Sequence, residues 1–81
     1  MPTAGHQFDD VPVSALTNCQ RKVVLLIAEG ATNQEIAERL GLQRHAVSDH
    51  VAQILWRLGA TERFEVALWA VRQGLYRGIA S

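Results

Sequence analysis

The chain has 81 residues, 48% of them hydrophobic and 20% charged, which is the composition of one small globular domain. Its single cysteine, Cys19, excludes an internal disulfide and a four-cysteine zinc site, and no apolar run is long enough for a transmembrane helix. Residues 17–81 hold all eight basic but only six of the eight acidic residues, a net charge of +2. We therefore expect a cytoplasmic domain without a membrane anchor and with only weak electrostatic attraction for nucleic acid.

Residues 1–15 contain both prolines of the chain and show no helical period. This pattern predicts a flexible leader or interdomain linker, in which only Val11 and Val13 pack loosely against the domain. The domain itself is expected to cover residues 16–77, and residues 78–81 are expected to form a short tail.

Four helices are predicted after the leader. The first begins at Thr17, which lies three residues before Gln20 in the spacing of a capping box, and it stops at Gly30. The second covers about Asn33–Leu40, starts from a second capping box between Thr32 and Glu35, and ends at Gly41.

The third predicted helix covers about Arg44–Leu58 and is closed by Gly59. One apolar face runs along it, formed by Val47, Val51, Ile54, Leu55 and Leu58. The fourth starts after Thr61 or Glu62 and runs to Gln73. It is apolar around more of its circumference, which indicates a second partner besides the core.

The second and third helices are joined by Gly41-Leu42-Gln43. A short helix, a glycine-led turn and a longer amphipathic helix form the helix-turn-helix arrangement, in which the second of the two helices enters the major groove of DNA. A helical wheel places His45, Asp49, Ala52, Gln53 and Trp56 opposite the apolar face, with Arg44, Ser48, His50 and Arg57 on its flanks. On this face Gln53 suits a bidentate contact with adenine, and Asp49 suits acceptance from cytosine.

An enzymatic function has little support in the sequence. The chain has no glycine-rich phosphate loop, no cluster of metal ligands and no acid/base pair, so we expect no catalysis, no metal and no cofactor.

Residues 16–76 resemble the LuxR-type DNA-binding domain, which also forms the C-terminal domain of response regulators. The matching pieces are Leu16-Thr17, Ile27-Ala28-Glu29-Gly30, Thr32-Asn33, Glu35-Ile36-Ala37, Leu40, Val47, His50-Val51, Ile54-Leu55, Arg57-Leu58-Gly59 and Arg63. The resemblance implies an all-α, four-helix domain that binds double-stranded DNA to regulate transcription. It also implies a homodimer formed through the fourth helix and an upstream receiver or ligand-binding domain.

The resemblance and the helical wheel together give two sets of candidate residues. The candidate DNA-binding residues are Thr32, Asn33, Gln34, Arg44, His45, Ser48, Asp49, His50, Ala52, Gln53 and Arg57. The candidate dimer or partner surface consists of Trp56, Leu68, Trp69 and Arg72. For His50, a phosphate contact and a packing role are equally open. Arg57 and Arg63 have local acids as alternative partners.

Several residues on the expected groove face depart from the family pattern. The family usually has Thr-Val-Lys where this chain has Ala46-Val47-Ser48, and often has lysine where it has Gln34. Asp49 adds a negative charge. These departures predict weak, salt-sensitive DNA binding by the isolated domain. They also leave open an alternative function, a helix-turn-helix that serves mainly as a protein-interaction module.

Overall fold

A computed structural model of the chain describes residues 10–76. Residues 1–9 of the predicted leader, residue 77 of the predicted domain and the whole predicted tail, residues 78–81, lie outside the described residues. The described part contains a short 3-10 helix, Val13–Ala15, followed by four α-helices: α1 (Asn18–Ala28), α2 (Asn33–Leu40), α3 (Arg44–Leu58) and α4 (Arg63–Arg72). The all-α, four-helix architecture predicted from the sequence is confirmed.

The starts of α1 and α2 follow from side-chain capping. At α1, the Thr17 hydroxyl accepts from the Gln20 amide, and the Gln20 side chain accepts from the Thr17 amide. Thr32 and Glu35 form the same reciprocal pair at α2, as predicted. Each pair satisfies two backbone N–H groups that a helix N-terminus leaves without an intrahelical partner.

The turn between α2 and α3 depends on Gly41, whose φ of 69° is left-handed. A side chain at that position would be strained, because L-residues rarely adopt this conformation. The turn is closed by a hydrogen bond of 2.9 Å from the Leu42 amide to the Ala37 carbonyl. Leu42 also packs against the core. The hydrogen bond and this packing together fix the chain just before α3 begins.

One hydrophobic core joins all four helices. Its largest fully buried side chains are Trp69, Ile36, Ile54, Leu58, Val23, Val24, Val47 and Val66. Trp69 was expected on a dimer or partner surface, and this prediction was wrong: its side chain is 0% exposed. The reason is that Trp69, with Val66 and Ala70, belongs to the face of α4 that turns toward the core.

The last residues of the predicted leader are attached to this core. The Trp69 indole N–H donates to the Val11 carbonyl over 2.9 Å, and both Val11 and Val13 pack against the core as expected. The 3-10 helix Val13–Ala15 was not expected from the sequence. Three residues make a single turn, which is too short to show a helical period.

Candidate nucleic-acid interface

The outer face of α3 is the candidate surface for nucleic acid. Its inner residues Val47, Val51, Ile54 and Leu58 are buried in the core and hold the helix against the domain. Of the positions that the helical wheel places opposite the apolar face or on its flanks, all but His50 are exposed; they are Arg44, His45, Ser48, Asp49, Ala52, Gln53, Trp56 and Arg57. The structure therefore brings most of the candidate DNA-binding residues together on one side of one helix.

One flank of α3 is supported from α2 and α4. The Arg63 guanidinium donates to Asn33 Oδ1 over 2.8 Å and to the Ala31 carbonyl over 2.9 Å. Asn33 Nδ2 in turn donates to Ser48 Oγ over 3.4 Å. Arg63 therefore binds Asn33 and the Ala31 carbonyl rather than a local acid, and it fixes Asn33 at the point where α2 meets the outer face of α3.

The opposite flank of α3 is supported from α1. Gln20 Nε2 donates to Gln53 Oε1 over 3.4 Å, and Cys19 Sγ lies 3.7 Å from His50 Nε2. Both contacts join residues more than 30 positions apart in the chain. No periodicity argument finds such pairs, and the sequence assigned Gln20 a capping role only.

The geometry at His50 favours packing over a phosphate contact. Its Nδ1 is buried and has no hydrogen-bond partner among residues 10–76, and its Nε2 faces Cys19. Because Nδ1 is buried and Nε2 faces Cys19 of α1, the prediction that His50 binds DNA has no support in this arrangement.

The N-terminal ends of α2 and α3 differ. At α2 the Thr32 hydroxyl accepts from the Glu35 amide over 3.1 Å, so the predicted capping role is confirmed. Gln43 precedes α3 without any side-chain cap. The first turn of α3 therefore presents backbone N–H groups next to the exposed side chains of Arg44 and His45, an arrangement that favours anions.

A groove of about 340 Å³ lies on the C-terminal half of the outer face of α3, lined by Ala52, Gln53, Trp56 and Arg57. Trp56 is 82% exposed, as expected for a contact residue rather than a core residue. The groove continues the surface that begins at Arg44, so the outer face is one uninterrupted strip along α3.

A second exposed surface runs along α4. Phe64 (63% exposed), Leu68 (42%) and Val71 (46%) form a stripe at i, i+4 and i+7, which we call the α4 stripe. Arg72 is also exposed beside it. Of the α4 residues predicted to form a dimer or partner surface, Leu68 and Arg72 are exposed, whereas Trp69 is buried. Phe64 and Val71 were missed, although their spacing from Leu68 was visible in the sequence.

The start of α4 has its own electrostatic feature. The Glu65 carboxylate accepts from the backbone amides of Glu62 (2.9 Å) and Thr61 (2.6 Å). These bonds, the one from Glu62 most strongly, lower the pKa of Glu65 because they stabilise its charged form. The carboxylate thus anchors the turn from which Arg63 reaches α2.

Across residues 10–76, His, Cys, Asp and Glu side chains form no group of three or more able to hold a metal ion. In the same range, no helix combines the length and apolar character that a membrane span requires.

Comparison with known proteins places this geometry in a family. Residues 14–70 match the family model described as bacterial regulatory proteins, luxR family. The chain is 37% identical over 59 residues to the DNA-binding transcriptional activator DevR/DosR of Mycobacterium tuberculosis, covering 73% of this chain and 27% of that protein. It is 37% identical over 65 residues to the transcriptional regulatory protein LiaR of Bacillus subtilis, covering 80% of this chain and 31% of LiaR.

A third relative is the nitrate/nitrite response regulator protein NarL of Escherichia coli, 33% identical over 73 residues, which are 90% of this chain and 34% of NarL. The chain thus spans about a third of the length of these relatives. The matching family consists of regulators and is not a class of enzymes. The alternative of a protein-interaction module is not favoured by these matches. The chain belongs to the luxR family of bacterial regulatory proteins, which confirms the resemblance seen in its sequence.

Proposed function

We propose that this DNA-binding domain of a transcription regulator places α3 in the major groove of double-stranded DNA. The observation that carries the proposal is the division of α3 into a fully packed inner face and an uninterrupted exposed outer face. A helix that is packed on one side and supported on both flanks by the other three helices presents its outer side chains at fixed positions. An α-helix held in this way fits the width of the major groove.

The outer face has two kinds of proposed contact. His45, Asp49, Ala52 and Gln53 face the base edges, where Asp49 accepts from cytosine. Phosphates are contacted by Arg44, Ser48 and Arg57 on α3 and by the N-terminal end of α2, which carries the remaining candidates Thr32, Asn33 and Gln34.

Charge limits the affinity of this arrangement. Ser48 and Gln34 are exposed and uncharged, and exposed Asp49 repels phosphate. Each phosphate contact that lacks a cation removes roughly one unit from the slope of log K against log salt concentration. We therefore propose that the isolated domain binds weakly. Nanomolar binding to a random duplex at physiological salt, measured by fluorescence anisotropy, would contradict this.

Selection of bound sequences from random duplex DNA at low salt tests the function itself. We expect enrichment of a specific sequence, because side chains at fixed positions discriminate between base edges. Asp49→Ala should relax the preference at one base pair, whereas Glu38→Ala, an exposed change on α2, should leave the selected sequence unchanged. If no sequence is enriched, helix α3 does not read DNA.

The proposal includes a homodimer through the α4 stripe. Its three apolar side chains, Phe64, Leu68 and Val71, are exposed on a single helix, and burying them against the same stripe of a second copy removes them from water. A two-fold pair of this kind reads two half-sites about one helical turn apart.

Analytical ultracentrifugation tests the dimer. Leu68→Glu should give a monomer, whereas Trp56→Glu, the same change to another exposed apolar side chain outside α4, should leave the dimer intact. A wild-type chain that remains monomeric at high micromolar concentration would remove the α4 contact from the proposal.

Two further elements rest on the family. An upstream receiver or ligand-binding domain is proposed because NarL is described as a response regulator and this chain covers 34% of it. The cytoplasm is the proposed site of action, because that compartment holds the chromosomal DNA of bacteria.

A further inference from the structure

Gln20 occupies an unusual place for a polar residue, because it is 6% exposed and lies between the start of α1 and the outer face of α3. Its Oε1 accepts from the Thr17 backbone amide over 3.0 Å. A backbone N–H is only a donor, so the side of the Gln20 amide that faces Thr17 must be the oxygen. The capping box therefore fixes which way round the Gln20 amide stands.

This orientation determines the orientation of Gln53. With its oxygen toward Thr17, Gln20 directs Nε2 at Gln53, where Oε1 accepts over 3.4 Å. The NH2 group of Gln20 is only a donor, so Gln53 must turn its oxygen inward to meet it. The Gln53 side chain is exposed, and its own NH2 group is then left for a partner outside the domain.

We propose that Gln20 is a specificity-determining residue, which acts on DNA recognition by setting the amide of Gln53. The inference rests on the proposed placement of α3 in the major groove. Guanine presents two acceptors there, N7 and O6, whereas cytosine presents the N4 donor. A Gln53 that offers its NH2 group favours guanine, disfavours cytosine and lacks a free carbonyl for the bidentate adenine contact expected from the sequence.

Gln20→Glu is the decisive variant. Glutamate also completes a capping box, so the start of α1 is retained. Its second carboxylate oxygen is an acceptor, however, and Gln53 must then rotate its amide to donate inward and turn Oε1 outward. At the Gln53 base pair, we expect the wild type to prefer guanine over cytosine by about three- to ten-fold, the factor that one hydrogen bond contributes. Gln20→Glu should instead prefer cytosine over guanine by a similar factor.

The experiment uses the 81-residue chain and duplex DNA carrying the sequence selected by the wild type. Anisotropy titrations compare the G·C and C·G forms of each base pair in turn, and Gln53→Ala identifies the base pair that Gln53 reads. The added charge of Gln20→Glu weakens binding to every sequence, so the ratio of the two affinities is the readout. Gln73→Glu, at the C-cap of α4, introduces the same charge by the same substitution outside α1 and α3 and should keep the wild-type ratio.

A second variant tests the same role of Gln20 without adding a charge. Gln20→Leu keeps a side chain of similar size without its amide, which frees Gln53 and should shift its preference toward adenine. Thermal melts by circular dichroism show whether each variant remains folded.

The outcomes separate the inference from the function on which it rests. If the wild type selects no sequence, the proposed function fails. If Gln53→Ala leaves every base-pair ratio unchanged, Gln53 does not read DNA and the inference is overturned. If Gln53→Ala flattens one base pair and Gln20→Glu retains the wild-type ratio there, the function stands and the role of Gln20 is overturned.

Discussion

On its inner side α3 carries Val47, Val51, Ile54 and Leu58, all buried, whereas the residues of its outer side are exposed to solvent. The inner residues are fixed by packing, because a change in volume there leaves a cavity or a clash. Nothing in the fold constrains the outer residues in this way. One helix therefore serves two independent requirements, and it is the outer side that departs from the cationic pattern of the family.

The comparison is tested most strongly by truncating one apolar side chain on each side. Ile54→Ala should lower the free energy of unfolding by about 2–5 kcal/mol, the usual cost of such a cavity. Trp56→Ala removes a larger side chain but should change the free energy of unfolding by less than about 0.5 kcal/mol, because the indole is already exposed. Urea denaturation followed by circular dichroism measures both, and similar costs would contradict the division of α3 into two sides.

The second test concerns Arg63 of α4, which binds Asn33 of α2 and through it contacts Ser48 on the outer side of α3. Arg63→Gln should cost on the order of 1–3 kcal/mol of stability, because two hydrogen bonds from a charged group are lost. DNA binding should weaken with an unchanged salt slope, since the guanidinium is bound to Asn33 Oδ1 and the Ala31 carbonyl.

Arg39→Gln is the control for Arg63→Gln, because it removes an equal charge from an exposed ion pair with Glu29 at 3.7 Å. Its effect on the free energy of unfolding should stay below about 1 kcal/mol. A salt slope that falls by about one in Arg63→Gln would instead identify Arg63 as a direct phosphate contact.

A cation can be added to the outer side of α3 without disturbing the core. Ser48→Lys should steepen the salt dependence of DNA binding by roughly 0.9 units of log K per unit of log salt, the value of one phosphate contact. Ser14→Lys adds the same charge at an exposed position of the 3-10 helix and should leave the slope unchanged. Equal slopes for the two variants would show that residue 48 lies away from phosphate.

The last and weakest effect is a pH dependence of the free energy of unfolding, which comes from Glu65 at the start of α4. The pKa of Glu65 is lowered in the folded state, so its carboxylate stabilises the fold above its ordinary pKa of 4.5. That contribution is lost as the pH falls through the lowered pKa of the folded state. Glu65→Gln should therefore lose less stability than the wild type during acid titration, measured by urea denaturation at each pH. Glu38→Gln is the control, and a wild-type-like pH profile in Glu65→Gln would refute the role of the carboxylate.

Local signals were sufficient to predict the helices. The capping boxes at Thr17 and Thr32 and the glycines at 41 and 59 mark helix ends that the structure places at the same residues. These signals act between residues three or four apart, and their energies do not depend on the rest of the fold. The fourth helix ends at Arg72, with Gln73 as its C-cap, one residue earlier than expected.

The surface of α4 was harder to predict. The helix has two apolar sides, and the sequence does not say which of them the core covers. Leu68 and Trp69 are consecutive and therefore point about 100° apart, so they cannot belong to one narrow stripe. The side that carries the largest side chain, Trp69, is buried in the core, and Leu68 is exposed.

The contacts that support α3 could not be predicted at all. Gln20 with Gln53 and Arg63 with Asn33 are 33 and 30 positions apart, and each pair exists only because the helices pack in this arrangement. Sequence periodicity indicates which face of a helix is buried, but it does not indicate which neighbour a flank will meet. Predictions for single residues such as His50 and Gln53 therefore depended on the packing of α1.

The two tryptophans give the domain a pair of independent optical reporters. Trp69 is buried and its indole N–H is bound to the Val11 carbonyl, whereas Trp56 stands 82% exposed on the outer side of α3. An indole in an apolar interior fluoresces at shorter wavelength than one in water, so the two emissions differ. Trp69→Phe leaves a chain whose fluorescence responds to molecules that approach α3, and Trp56→Phe leaves one that reports the loss of the core. Binding and unfolding are thus observable separately without an added label.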